Sequence, residues 1–218
     1  MDNGVAVESL KRALIENMGS YGVDLSPEAV NKLGVYYDVL LRWNKLLHLV
    51  APCSTEEFAR RHLLESLVLI KHLPEQAHVA DVGSGAGLPI IPCLIARADL
   101  YATLIEASKK KAIFLHEVLK QLDRKARIRA ETFQNVLLEN ESYVTCRALD
   151  EFIFQLPELF VWAPPSSTLL LFGGDNVRIQ VRKIIEKFQQ PSSNRLDLQE
   201  FLLPLSERRF LFSLKKTG

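Results

Sequence analysis

Gly83, Gly85 and Gly87 fall on alternate positions behind Asp81, in the run Asp-Val-Gly-Ser-Gly-Ala-Gly-Leu-Pro-Ile-Ile-Pro over residues 81–92. Glycine lacks a Cβ, so the backbone turns tightly there and a ligand can lie against it. An apolar strand, His78 to Val82, feeds the turn, and a helical segment, Leu88 to Arg97, leaves it with prolines near its start. Strand, glycine turn and helix make a nucleotide-type pocket. Glu106 ends the next β-rich run, Tyr101 to Glu106, where a carboxylate can accept the two hydroxyls of a ribose or stand as a solvated strand-end acid. Thr132 and Phe133 follow a short strand, Ala126 to Ala130, and Phe133 is placed to cover an adenine ring or to fill the core. Arg147 ends a fourth strand within Thr-Cys-Arg-Ala-Leu. A guanidinium in an apolar segment must meet a carboxylate, a phosphate or a base.

The glycine spacing separates two ligand classes. A dinucleotide turn needs Gly-x-Gly-x-x-Gly, which here requires glycine at position 88, where Leu88 stands. The acidic-x-Gly-x-Gly-x-Gly form instead resembles motif I of class I S-adenosylmethionine (AdoMet) methyltransferases. In that fold the acid, here Asp81, orients the turn or meets the amino-acid end of AdoMet; locking the turn is an equal reading.

The elements that must position these groups follow from periodicity. Val5 to about His72 reads as helices. Ser26-Pro27-Glu28 is a helix start, followed by Val30, Leu33, Tyr37, Leu40 and Leu41 at spacings of three and four. Pro52 breaks the pattern and Ser54-Thr55-Glu56-Glu57 restarts it, with Phe58, His62, Leu63, Leu67 and Ile70 on the next helix. After the glycine turn, strand and helix alternate. Ser108 to Leu122 is a helix with Ile113, Phe114, Val118 and Leu119 inward. Tyr143 to Ala148 is a strand, Asp150 to Trp162 a helix, Ser167 to Phe172 a strand and Val177 to Phe188 a basic helix. Gln190 to Asn194 is a turn, and Leu198 to Leu203 with Arg209 to Leu214 reads as a hairpin. The expected fold is α/β. It is a Rossmann-like, mostly parallel sheet with helices on both faces and an antiparallel C-terminal strand, preceded by a helical extension. Residues 1–75 form that extension, and residues 76–218 the AdoMet-binding domain.

Composition excludes several classes. Net charge is +1 and 48% of the 218 residues are hydrophobic, as in a globular chain with a full core. No apolar run reaches the ~18 residues of a membrane span, and the charged N-terminal segment is not a signal peptide. Cys53, Cys93 and Cys146 are odd in number and far apart, each expected as a free core thiol in a reducing cytoplasm. The histidine pattern supports no metal site and no Gly-x-Ser-x-Gly elbow occurs. Basic clusters, among them Arg60-Arg61-His62, Lys109-Lys110-Lys111 and Arg208-Arg209, could together follow a phosphate backbone.

Several segments jointly resemble the RsmG (GidB) family, the 16S ribosomal RNA guanine-N7 methyltransferases. Arg42-Trp43-Asn44-Lys45 looks like its Trp-Asn-Lys helix, and Arg61-His62-Leu63-Leu64-Glu65-Ser66 is similar to its Arg-His-x-x-Asp-Ser. The glycine motif carries the family's Gly-Leu-Pro-x-x-Pro tail. Thr145-Cys146-Arg147-Ala148 looks like its Ser-Arg-Ala strand end, and Glu207-Arg208-Arg209 like its Glu-Arg-His. The resemblance implies AdoMet binding at Gly83, Leu88, Thr132, Phe133 and Arg147, beside Asp81, Gly85 and Glu106 from the motif itself. It implies 16S rRNA or the small ribosomal subunit as partner, reached through Arg208, with a monomer acting in the cytoplasm and no metal. This chain departs from the family pattern at Phe172, where a lysine is usual, at Glu131 and Phe133, where an arginine and a glutamate are usual, and at His48 and Val50.

Guanine N7 carries no proton and holds its lone pair in the ring plane, so methylation there needs alignment rather than a general base. Arg147 and Arg208 are accordingly expected to hold the base or its phosphates. Two other readings fit the same scaffold: a methyltransferase of another substrate, and a low-activity RNA-binding member of the family.

Overall fold

The protein is described by a computed structural model covering residues 3–147, 153–188 and 195–217. Helix Pro27–Leu47 starts as its sequence dictates. The Ser26 side chain accepts a hydrogen bond from the Ala29 N–H at 3.1 Å, and Pro27 occupies the first turn. Val30, Leu33, Tyr37 and Leu40 form its buried stripe, together with Tyr36. The helix stops at His48, whose φ of 48° is left-handed. Helix Asn3–Asn17 packs against it. The restart at Ser54 is capped in the same way, but the helical run over 55–72 is not uniform: Phe58–Leu64 is π-helix and Val68–His72 is 3-10. Periodicity alone does not reveal that widened turn.

Seven strands form one sheet in the order β3-β2-β1-β4-β5-β7-β6. These are β1 His78–Val82, β2 Tyr101–Ile105, β3 Arg127–Arg129, β4 Tyr143–Cys146, β5 Thr168–Gly173, β6 Arg195–Leu202 and β7 Phe210–Thr217. The first five run parallel, and β7 lies antiparallel between β5 and β6. Chain order reverses between β1 and β4, which opens a crevice at the carboxyl ends of these strands, where α/β sheets bind ligands. Side chains alternate across β1. Val79 joins the core formed with the N-terminal helices and helices Ile90–Ala96 and Lys109–Gln121. Ala80 and Val82 join the opposite core, under helices Leu156–Trp162 and Asp175–Phe188. The N-terminal helices therefore share one apolar core with a full face of the sheet.

Four sequence expectations need correction. Ile113 is 57% exposed. The buried stripe of its helix runs through Ala112, Phe114, Leu115, Val118 and Leu119, and position 113 falls outside that arc. Cys53 is exposed in the loop after His48, whereas Cys93 and Cys146 are buried. The helix after the glycine turn begins at Ile90, because Leu88 and Pro89 belong to the turn. The helix predicted from Asp150 is α-helical only from Leu156, behind a 3-10 turn, Ile153–Gln155. Its first residues, and the turn expected at Gln190 to Asn194, lie outside the described residues.

Candidate active site

Gly83, Gly85 and Gly87 all take positive φ, at 70°, 50° and 84°. A Cβ on Gly87 would sit 2.3 Å from Ile91 Cδ1, so the turn and the following helix close only over a glycine. The turn is held from three sides. The Gly83 and Ser84 N–H groups donate to the Ile105 carbonyl at 2.9 and 3.1 Å. Tyr36, from the N-terminal block, donates its hydroxyl to the Ala86 carbonyl at 2.8 Å. Glu106 accepts from the Gly85 N–H through Oε2 at 2.9 Å and from the Ser108 N–H through Oε1 at 2.8 Å. Each carboxylate oxygen keeps a lone pair for a further donor. Glu106 is thus both a brace of the turn and a free acceptor beside it.

A cavity of about 590 Å³ opens over this turn at the crevice between β1 and β4. Gly83, Gly85, Leu88, Glu106, Thr132, Phe133 and Arg147 line it together, brought in from four separate stretches of chain. Phe133 is buried, packs edge-on against Trp162 at 5.4 Å, and also lines the cavity. Glu131, at the rim, pairs with Arg129 at 2.9 Å. Sequence reasoning missed the opposite wall, made by the His48–Ala51 loop and His62. The signal for it was Asn44. Its side chain accepts from the Val50 N–H at 2.9 Å and donates to the Val50 carbonyl at 3.1 Å, clamping the loop against the helix end.

Asp81 does not line the cavity. It is fully buried on the face of β1 toward the N-terminal helices, and neither carboxylate oxygen has a hydrogen-bond partner. Burial pushes its pKa well above the usual carboxylate range, and the negative charge of Glu106 adds to the shift. A carboxyl that holds its proton more tightly folded than unfolded adds stability as pH falls and loses it as pH rises through the folded value. Asp81→Asn is therefore expected to raise the melting temperature at pH 8, with the difference from wild type closing as pH is lowered. A melting series across pH checks this; an Asn variant less stable at pH 8 overturns it.

Arg147 finds the carboxylate it requires. It reaches back to the N-terminal block, donating through Nη1 to the His62 carbonyl at 3.1 Å and to Ser66 Oγ at 2.7 Å, and through Nη2 to the Arg61 carbonyl. Glu65, only 1% exposed, stands 3.8 Å from Arg147 Nη2. Its other oxygen accepts from Arg209 Nε and Nη2 at 2.9 and 2.6 Å. Three of the sequence motifs thus meet in one ion network at the cavity wall: Arg-His-x-x-Glu-Ser, the arginine after β4, and the β6–β7 hairpin. The carbonyls that receive Arg147 belong to the π-helical turn, a distortion that recurs at functional sites. Phe172 is buried, with the Arg147 guanidinium 5.9 Å over its ring. Arg208 neither lines the cavity nor joins the network. Its side chain is exposed, and no ion-pair partner for it occurs among the described residues.

A family model described as rRNA small subunit methyltransferase G matches residues 29–202 of this chain. The chain is 36% identical over 167 residues to the ribosomal RNA small subunit methyltransferase G of Sorangium cellulosum, spanning 73% of this chain and 70% of that protein. It is 30% identical over 221 residues to the protein of the same name from Syntrophotalea carbinolica, spanning 96% of this chain and all of that one. Among solved structures, a SAM-dependent methyltransferase from Aquifex aeolicus shares the fold. Its TM-score is 0.58 at 15% identity, over 79% of this chain and 97% of that one.

Proposed function

Because this chain belongs to the rRNA small subunit methyltransferase G family, and so is an AdoMet-dependent methyltransferase of guanine N7 in 16S rRNA, we propose that the crevice over β1 and β4 holds the cofactor on the glycine turn and the target base against the N-terminal wall. The observation that carries this reading is the cavity itself, where Gly83, Gly85, Leu88, Glu106, Thr132, Phe133 and Arg147 converge.

The residues present fit AdoMet. Gly85, held at a φ of 50°, and Glu106 both line the cavity, and each carboxylate oxygen of Glu106 accepts only one backbone N–H. The spare lone pairs of Glu106 accept the ribose hydroxyls, Phe133 and Leu88 cover the adenine, and Gly83 lets the methionine part lie along the turn. When bound, AdoMet supplies a methyl group activated by its positive sulfur. The protein's own task is then positional. N7 bears no proton, so no side chain has to remove one. Leu156, Leu159 and Phe133 keep water away, and Arg147 fixes the geometry of the wall.

Beyond the target base, the RNA backbone is engaged outside the crevice. Arg208, exposed and without an ion-pair partner among the described residues, beside the half-buried Arg209, is suited to a phosphate. We place the protein as a monomer in the cytoplasm, where small subunits are made. The direct test is transfer of tritium from labelled AdoMet to small-subunit rRNA, followed by mapping of the modified base. Label at a guanine N7 is expected; none on RNA, with AdoMet still bound, identifies a binding module instead. Arg208→Ala is expected to raise KM for the RNA about tenfold and to leave AdoMet affinity unchanged. Wild-type kinetics would remove Arg208 from the interface.

A further inference from the structure

The wall opposite the glycine turn is polar in one place that its own packing does not use. His62 lines the cavity, and neither nitrogen of its ring has a hydrogen-bond partner among the described residues. Its backbone, by contrast, is fully engaged: the carbonyl accepts from both Arg147 and Ser66 Oγ. One face of the ring rests on Phe58, 5.0 Å between centroids at 33°, and Phe58 is 1% exposed. The ring is therefore backed by core and pinned at its backbone, with its polar edge uncommitted. The neighbouring groups of this wall are spent. Arg147 gives its Nη hydrogens to helix carbonyls and Ser66, and the Val50 backbone is taken by Asn44. His48 is exposed at the rim.

We infer that His62 is the residue that contacts the target base, its free imidazole edge hydrogen-bonding the purine while its ring packs beside it. This rests on the proposed rRNA reaction and adds a specificity residue to it. Burial, then the charges of Arg147, Arg61 and Arg209, push the His62 pKa down to about 3, so the ring is neutral at working pH. A neutral imidazole offers one donor and one acceptor, whereas an imidazolium offers only donors. Guanine presents an acceptor at O6 beside a donor at N1 on the edge that stays free while N7 reacts. A neutral ring also avoids placing a cation against a base that becomes positively charged on N7 methylation. Bases taken out of a helix are commonly read in this way, by an aromatic face and a polar edge.

His62→Phe keeps the ring and removes the polar edge; His62→Asn keeps a polar group and removes the ring. Both variants are compared with wild type for AdoMet affinity by calorimetry, for melting temperature, and for methyl transfer to small-subunit rRNA. The Phe variant is expected to bind AdoMet and melt as wild type does, yet to lose about tenfold or more in kcat/KM for RNA. Wild-type transfer by His62→Phe overturns the inference. So does a loss of AdoMet affinity matching the loss of rate, because His62 would then serve the cofactor. A second measurement does not depend on turnover. Guanosine monophosphate added to protein saturated with S-adenosylhomocysteine should shift the His62 ring resonances, and an unmoved ring at saturating nucleotide rejects the contact. If wild type fails to methylate rRNA while the ring still shifts, the reaction assignment fails and the base contact stands.

Discussion

Arg147→Met is expected to destabilise the fold by about 1–3 kcal/mol, the cost of removing a buried donor from the acceptors it satisfies. Glu65 is 1% exposed, and its two oxygens are divided between Arg209 and Arg147. Removing Arg147 also takes away the donor that the Arg61 carbonyl of the π-helical turn receives and one of the two that the His62 carbonyl receives. Urea unfolding at neutral pH measures the effect. A loss below about 1 kcal/mol, the level of a surface pair, would show that the network does not hold the wall. Burial lowers the Arg147 pKa from its ordinary value, and Glu65 opposes that shift; losing Glu65 alone therefore leaves a buried cation supported only by carbonyls and a hydroxyl.

Glu106→Ala is expected to weaken AdoMet binding about a hundredfold, at roughly 1.5–3 kcal/mol for each hydrogen bond to a charged group. The substitution removes the ribose acceptor and frees the Gly85 and Ser108 N–H groups that the carboxylate holds at 2.9 and 2.8 Å. Glu106→Gln keeps one acceptor oxygen and should lose only about tenfold. Calorimetry with AdoMet reads both. An Ala variant within about threefold of wild type would place the ribose elsewhere.

The glycine turn, Glu106 and the alternation of strand and helix were legible because each depends on local rules: positive φ wants glycine, and a half-buried element wants its period. The hairpin and its antiparallel finish were legible for the same reason. Asp81 shows the limit. Its position in a binding motif suggested ligand contact, but strand alternation turns it away from the cavity and into the core on the N-terminal side. Arg208 and Arg209 show a second limit. Adjacent arginines are indistinguishable in sequence, yet only Arg209 reaches Glu65, across 144 residues. The π-helical turn and the His48–Ala51 wall were hidden because they depend on what the chain packs against, which no local pattern records.

The order in which the chain leaves the ribosome gives the β6–β7 hairpin another meaning. β7 completes the sheet by inserting between β5 and β6, and Arg209, immediately before it, neutralises Glu65 in a helix made some 144 residues earlier. Until that segment emerges, β5 has an open edge and the carboxylate beneath the crevice lacks its bidentate partner. A nascent chain can form the glycine turn early, but it gains a finished binding wall only once Arg209 and β7 have been made. Incomplete translation products should therefore be recognisable to proteases as unfolded, rather than persisting as RNA-binding fragments that compete with the enzyme.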